Sequence, residues 1–450
     1  MKKYLNYFIA IATIFLFNFF FGYDSLSASA VGIFAYWLSA LLFRSNHSLP
    51  IKELFLSLYS LQYLFGSALM YNGFDYYYSD YNKMKITSED YFTFVIPVFL
   101  CFCLGFNIFV KKNSIKINRD QIDQWLNVHP QAPYYFIVIG FILPLVSGFI
   151  PNSFDFILYF LSAFKFIGLF ILLMSYRTIK PLLMVGIYGA ILISSFQGGM
   201  FHDLLTWLIF LAIVLTYRYK PNWTLKTIGI VLFALFAIFI QSIKSGLREQ
   251  TWLGNKQTSI ALVEEVSNNV SVSNGGLLSM NNLGPNVIRI NQGFFLASTM
   301  NNVPRNIPHT HGALIMEYLY AAIVPRIFDA NKLKSGGHEF TNLYAGLDTV
   351  GETSMPLGLF SDAYIDFGKF GAIVCVFFIG LMYGYILNQF FTNSNTFPIL
   401  ILFAVLAFIY PMRPDTETQT AFGHLFKTIM LLWLMFKLYP SFFKIPSKNF

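Results

Sequence analysis

The stretch "YFTFVIPVFLCFCLGFNIFV", residues 91–110, holds twenty residues and no charge. At 1.5 Å per helical residue that length matches the hydrocarbon core of a bilayer, about 30 Å thick. Tyr4–Gly22, without a charge, and Thr224–Ile243, with Lys226 alone, are runs of similar length. Over all 450 residues, 56% are hydrophobic and 12% charged, with a mean hydropathy of +0.57. A soluble globular enzyme is excluded by those proportions, and long unbroken apolar runs imply helices rather than barrel strands. The chain reads as an all-α integral membrane protein.

Working outward, apolar windows fall near 4–22, 26–43, 53–72, 91–110, 133–150, 154–175, 181–196, 201–217, 224–243, 367–388, 397–411 and 421–438. About twelve transmembrane helices are expected. Lys2 and Lys3 with the small residues of "SASA" at 27–30 imitate a cleaved signal. Cleavage there would leave the following run too short to span, so an uncleaved first helix is expected. Cys101, Cys103 and Cys375 all lie inside apolar runs, which argues against a disulfide framework or a metal cluster.

Charge sets the orientation. Lys2, Lys3, Arg44, Lys52, Lys111, Lys112, Lys116, Arg119, Arg177, Lys180, Arg218, Lys220, Lys226, Lys437, Lys444 and Lys448 all fall on one side of the expected spans. The rule that cytoplasmic loops are positive places both termini in the cytoplasm. The 73–90 connection, net acidic through Asp75, Asp80, Glu89 and Asp90 against Lys83 and Lys85, falls on the other side. The formal charge of +8 is therefore a membrane-topology signal and not a nucleic-acid one.

The same alternation divides the chain into a nine-helix region (1–243), an external loop (244–366) and a three-helix C-terminal region (367–450). The loop is too long for a turn. It opens with the Asn/Ser/Gly-rich "VEEVSNNVSVSNGGLLSMNNLGPN" (263–286) and contains the apolar "GALIMEYLYAAIVP" (312–325). That run is too short for a comfortable span and ends at proline, so a short interfacial or re-entrant helix is expected.

Charged clusters flank it: "RNIPHTH" (305–311) before, and "IVPRIFDANKLKSGGHEF" (323–340) after. Arg289, Arg305, Arg326, Lys332 and Lys334 form an external excess of cations that suits phosphate or diphosphate, which guanidinium forks grip bidentately. Pairing with Glu317, Asp329, Glu339, Asp362 and Asp366, or contact with lipid headgroups, is the plainer alternative. His309, His311 and His338 with Glu339 do not follow a metal-ligand spacing; a base or hydrogen-bonding role suits an imidazole better. Asp362 and Asp366 stand four apart, on one face of a helix that starts early. They are read either as carboxylates at a helix start or as a group that orients a sugar hydroxyl. Lys165 and Lys427 lie inside apolar windows, where charged residues face a bundle interior or snorkel.

The segment with "RINQG" (289–293), "VPR" (303–305), "IVPRIFDANKLKSGGHEF" and "TSMPLGLFSDAYIDFGKFG" (353–371) resembles the external loop of Wzy-type O-antigen and exopolysaccharide repeat-unit polymerases. Pro325, Arg326, Phe328, Lys332 or Lys334, Thr353, Ser354, Met355, Gly358, Asp362, Tyr364, Phe367 and Gly368 stand in the matching places. "FDANK" departs from the usual tryptophan-proline followed by a lysine-proline pair. The resemblance covers about a fifth of the chain directly. It implies a GT-C-like glycosyltransferase, with no nucleotide sugar and no metal cofactor, acting on undecaprenyl diphosphate-linked oligosaccharide at the outer face of the cytoplasmic membrane.

On that resemblance Arg326 and Arg289 are the first candidates for the leaving diphosphate, and Asp362 or His309 for the acceptor hydroxyl. Arg305, His311, Lys332, Lys334, His338 and Glu339 are candidate substrate contacts. Membrane lipids, a chain-length regulator and a flippase are the implied partners, with no nucleic acid. A ligase acting on the same carrier shares these features; a flippase would show repeat symmetry and short loops instead.

Overall fold

A computed structural model of the chain describes residues 4–46, 48–74, 83–110, 117–151, 154–198, 201–252, 280–324, 329, 333, 338–347 and 356–445. Among the described residues the regular elements are all helical. Each of the twelve apolar windows contains a helix. Seven are long and apolar enough to cross a membrane: Ser25–Arg44, Ile51–Gly73, Ser88–Phe109, Asp155–Met174, Trp223–Gln241, Leu359–Asn393 and Thr418–Leu438. Arg119–Val128 and Ala132–Val146, bent by 83° at their junction, make an eighth if taken as one broken span.

The 397–411 window yields only a short helix. Pro398 and Pro411 bracket it, and the helix is Leu400–Phe408, nine residues, about 14 Å against a core of about 30 Å. Every residue from Ile401 to Ile409 is at most 2% exposed. This short helix is wrapped by Asp155–Met174, Leu359–Asn393 and Thr418–Leu438, and so forms the centre of the bundle. Its high hydropathy reports burial in protein rather than exposure to lipid.

The principal packing is Ser88–Phe109 against Leu359–Asn393. Glycines bring the two backbones together: a Cβ added at Gly380 would meet the Phe102 carbonyl at 2.5 Å, and one at Gly105 or Gly384 would strike the Phe377 or Phe106 carbonyl. Small residues at such seams replace the hydrophobic drive that lipid removes. Beside the seam lies an aromatic layer, with Tyr63 stacked on Phe360 at 4.4 Å and Tyr59 on Phe102 at 5.2 Å. Many of the aromatics are thus core.

One end of the bundle is basic. Arg119 donates to the Met174 and Ser175 carbonyls at 2.9 and 2.7 Å, and Arg218 to those of Leu173 and Arg177, each at 2.8 Å. Both guanidiniums thereby satisfy the carbonyls at the end of Asp155–Met174. The amphipathic Arg119–Val128 lies at this end, where Trp125 Nε1 donates to the Phe442 carbonyl at 2.7 Å. Lys165 is half-buried, its ammonium 5.5 Å from the ring centres of both Phe141 and Phe166.

Both borders of the expected 244–366 loop fall inside helices. Trp223–Trp252 runs past the first, and Leu359–Asn393 begins before the second, so Asp362 and Asp366 are helical residues. The expected short helix is Ala313–Ile323, eleven residues, packed on Thr418–Leu438 while Met316, Tyr320 and Ile323 stay exposed along its other side.

The glycine seam makes a sharp prediction. Gly384→Leu should lower stability by about 3 kcal/mol, since the helices must separate, whereas Gly229→Leu, which meets nothing within 4 Å, should be near neutral. Thermal unfolding of the two purified variants in one detergent checks the contrast.

Candidate functional site

The site is built around a break. Within Leu359–Asn393, Gly368 adopts φ 64° and ψ −168°, a conformation that residues with a Cβ avoid. The helical ladder is interrupted there, so nearby carbonyls need other donors. Residues 309–311 supply them: the Thr310 amide donates to the Ile365 carbonyl at 3.1 Å and the His311 amide to the Asp366 carbonyl at 2.9 Å. His309 Nδ1 also lies 3.1 Å from the Ile365 carbonyl. A carbonyl only accepts, so Nδ1 carries the proton and Nε2 of the neutral ring keeps its lone pair. That Nε2 lies against Gly368, 3.2 Å from where a Cβ would stand.

Asp366 faces back across the same junction. Fully buried, its carboxylate accepts from the Leu314 and Ile315 amides at 3.1 and 2.8 Å and from the Thr310 hydroxyl. Leu314 and Ile315 are in the first turn of Ala313–Ile323, whose start at Gly312 has no side-chain cap of its own. Asp366 thus caps a helix from another part of the chain, and its charge complements the dipole there. Of the two readings of Asp366, a carboxylate at a helix start or a group that orients a sugar hydroxyl, these contacts match the first, at the start of another helix.

A second constellation joins segments remote in sequence. Arg289, the last residue of Met280–Arg289, places Nη2 3.6 Å from Asp415 Oδ2, and Arg413 Nε is 3.9 Å from Asp415 Oδ1. Burial alone would raise the Asp415 carboxyl, but the charges of His202, Arg413 and Arg289, with a backbone hydrogen bond, hold it below the ordinary range. Arg413 also lies over the Tyr410 ring, 5.2 Å from its centre. One carboxylate therefore faces two guanidiniums. Arg289 can turn toward a ligand, its side chain being 55% exposed against 16% for Arg413.

Asp362 connects the two. It is 2% exposed and faces the hydroxyl and backbone amide of Thr418, yet Asp362 Oδ1 and Thr418 Oγ1 each lack a hydrogen-bond partner, as does the nearby Tyr63 hydroxyl. The fields of both Asp362 and Asp415 reach Tyr59 and Tyr63. Gly358, at φ 83°, opens the helix that carries Asp362 and is pressed against the Tyr63 hydroxyl, the Pro414 carbonyl and Gln292. Gln292 in turn donates to the Pro356 and Leu357 carbonyls at 2.7 and 2.9 Å. An unpartnered buried carboxylate oxygen can accept from a ligand hydroxyl, and guanidiniums can take an anion.

An apolar groove of about 600 Å³ runs from this end along Ile315, Leu319, Phe367, Val374, Phe378 and Phe422. Its walls are Ala313–Ile323, Leu359–Asn393 and Thr418–Leu438, the helices that carry or abut Asp366, Asp362 and Thr418. Among the described residues no three His, Cys, Asp or Glu side chains cluster as metal ligands.

The sequence-derived candidates divide accordingly. Arg289, His309 and Asp362 lie in the site, and His311 joins it through its backbone with φ 52°. Arg305 and Glu339 are exposed, Glu339 in the first turn of His338–Ala345, and neither forms an ion pair among the described residues. His338 begins that helix. Arg326, Lys332 and Lys334 lie outside the described residues. Arg413, Asp415 and His202 were missed by reading along the chain. The signal was the polar "RPDTET" (413–418) between two apolar runs.

Two measurements test these assignments. Asp366→Asn loses one charge-assisted acceptor and presents an amide to a helix amide, so stability should fall by about 2 kcal/mol, read by unfolding of the detergent-solubilised chain. A depressed carboxyl contributes stability fully above its unfolded pKa of about 3.9 and loses it as pH falls through the folded value. The stability gap between wild type and Asp415→Asn should therefore still be present at about pH 5 and close below about pH 4.

No curated protein and no solved structure matches the chain. A family described as "Domain of unknown function (DUF8712)" matches residues 54–410, which include Arg289, His309, Asp362 and Asp366. The match extends over more than half of the chain, and the protein belongs to that family.

Proposed function

We propose that the chain is a membrane glycosyltransferase that polymerises undecaprenyl diphosphate-linked oligosaccharide repeat units, as its resemblance to the Wzy-type polymerases implies. The supporting observation is the junction of Arg289 and Arg413, sharing the one carboxylate of Asp415, with the buried, partly unpartnered Asp362 and an apolar groove at the same end of the bundle. A lipid diphosphate sugar has those three parts: an anion, a hydroxylated ring and a long apolar chain.

In the proposed reaction a hydroxyl oxygen of the acceptor saccharide attacks the anomeric carbon of the donor chain. The bond from that carbon to the diphosphate breaks, and its electron pair leaves with the diphosphate. Arg289 and Arg413 neutralise the charge that develops on the leaving oxygens, strengthened by their poorly screened setting. The hydroxyl proton passes to the Asp362 carboxylate or to the free Nε2 of His309. Arg326 belongs to the same proposal as a further diphosphate contact, with Arg305, His311, Lys332, Lys334, His338 and Glu339 as saccharide contacts. A GT-C-like arrangement of about twelve passes in the cytoplasmic membrane, with cytoplasmic termini and this end facing outward, belongs to the same proposal.

The test is the distribution of lipid-linked saccharides in cells that lack the protein, complemented with variants of confirmed membrane abundance. Wild type should restore long chains, while Arg289→Ala and Arg413→Ala should each leave single repeat units at the outer face and cut the rate about a hundredfold or more. Long chains from both stable variants would remove the leaving-group assignment. Finished polymer stranded on the carrier would mean a ligase, and single units held at the cytoplasmic face a flippase.

A further inference from the structure

A second groove, of about 450 Å³, lies toward the basic end, between the late turns of Leu359–Asn393, the start of Leu400–Phe408 and the last turns of Thr418–Leu438. Its volume falls within the range of sites for small molecules. Its lining includes Tyr385, Gln389, Phe397, Ile429, Trp433 and Lys437.

Two cations stand at it. Lys437 Nζ lies 4.4 Å from the centre of the Trp433 ring, and Lys444 Nζ 5.9 Å from that of Phe397, so each ammonium rests on an aromatic wall of the groove. Among the described residues neither lysine pairs with a carboxylate. Trp433 is 58% exposed and Tyr385 49%. An indole and a phenol at the border of an apolar surface, with ammonium groups beside them, are the pattern of a bilayer interface.

We infer that this groove holds one acyl chain of an anionic glycerophospholipid whose phosphate is bound by Lys437 and Lys444. The apolar lining matches the chain, and the two lysines match a headgroup that carries net negative charge. Arg119 and Arg218, elsewhere at this end, are engaged with carbonyls and do not compete for it. A two-fold contact between copies through the same groove would bring the lysines of both chains together, which like-charge repulsion opposes. The inference stands apart from the proposed glycosyl transfer, being placed at the other end of the bundle.

The test uses the full chain purified in detergent, with lipid retention read by native mass spectrometry. The probes are palmitoyl-oleoyl phosphatidylglycerol and the matching phosphatidylcholine. Wild type should retain one phosphatidylglycerol in preference to phosphatidylcholine. Neutralising a lysine near a phosphate should weaken that retention about fivefold, and Lys437→Gln with Lys444→Gln about twenty-five-fold, without changing phosphatidylcholine retention. Gln389→Trp, which fills the groove, should lower retention of both. Equal retention of the two lipids by wild type, or undiminished phosphatidylglycerol binding in the double variant, would overturn the inference. So would a change of oligomeric state in Gln389→Trp with lipid retention intact, which would make a second copy the occupant. The lysines are exposed, so the double variant is expected to fold, and its unfolding midpoint in lipid-free detergent verifies this.

Discussion

A backbone amide or carbonyl removed from water must find a partner inside the protein, and this constraint shapes the described structure at its most irregular point. Gly368 breaks the helix beside Asp366, and the carbonyls left at the break are met by the amides of residues 310 and 311. Asp366 returns the favour by capping Ala313–Ile323. One glycine and one carboxylate thus lock a short helix and its preceding loop onto the long Leu359–Asn393 helix. The position of His309 and one wall of the apolar groove follow from that lock.

The long helix can carry this load because its other half is anchored. Gly105, Gly380 and Gly384 set it against Ser88–Phe109 at backbone distance, and Tyr63, stacked on Phe360, ties it to Ile51–Gly73. Asp362 occupies the segment between the anchored half-bundle and the Asp415 cluster. The proposed chemistry draws on that placement: cations on the 413–415 loop and the Arg289 helix, a carboxylate between them, and an apolar path alongside. The basic end is organised differently, with guanidiniums spent on helix-end carbonyls and two lysines left beside an apolar groove.

Much of this was legible along the chain. Periodicity and hydropathy located a helix in each apolar window, and Arg289, His309 and Asp362 were chosen as a cation, an imidazole and a carboxylate in the expected external loop, with roles taken from the resemblance. Two kinds of feature escaped. Leu400–Phe408 looks like a lipid-facing helix because lipid and protein interior select the same apolar side chains, and only its complete burial separates the cases. Arg413 and Asp415 escaped because their partner Arg289 is more than a hundred residues away, and no spacing rule connects them.

The sequence by itself determined the medium and the secondary structure: unbroken apolar runs demand a bilayer, and a bilayer without an alternating strand pattern demands helices. It also determined which stretches are unusual, since polar residues in so apolar a chain stand out. Tertiary structure alone decided what those residues do. Whether a carboxylate caps a helix, as Asp366 does, or sits with an unpartnered oxygen, as Asp362 does, depends on which backbone amides and hydroxyls another segment brings within about 3 Å. Those partners come from contacts between segments far apart in the chain, so local sequence carries the chemical type of each group but not its occupation.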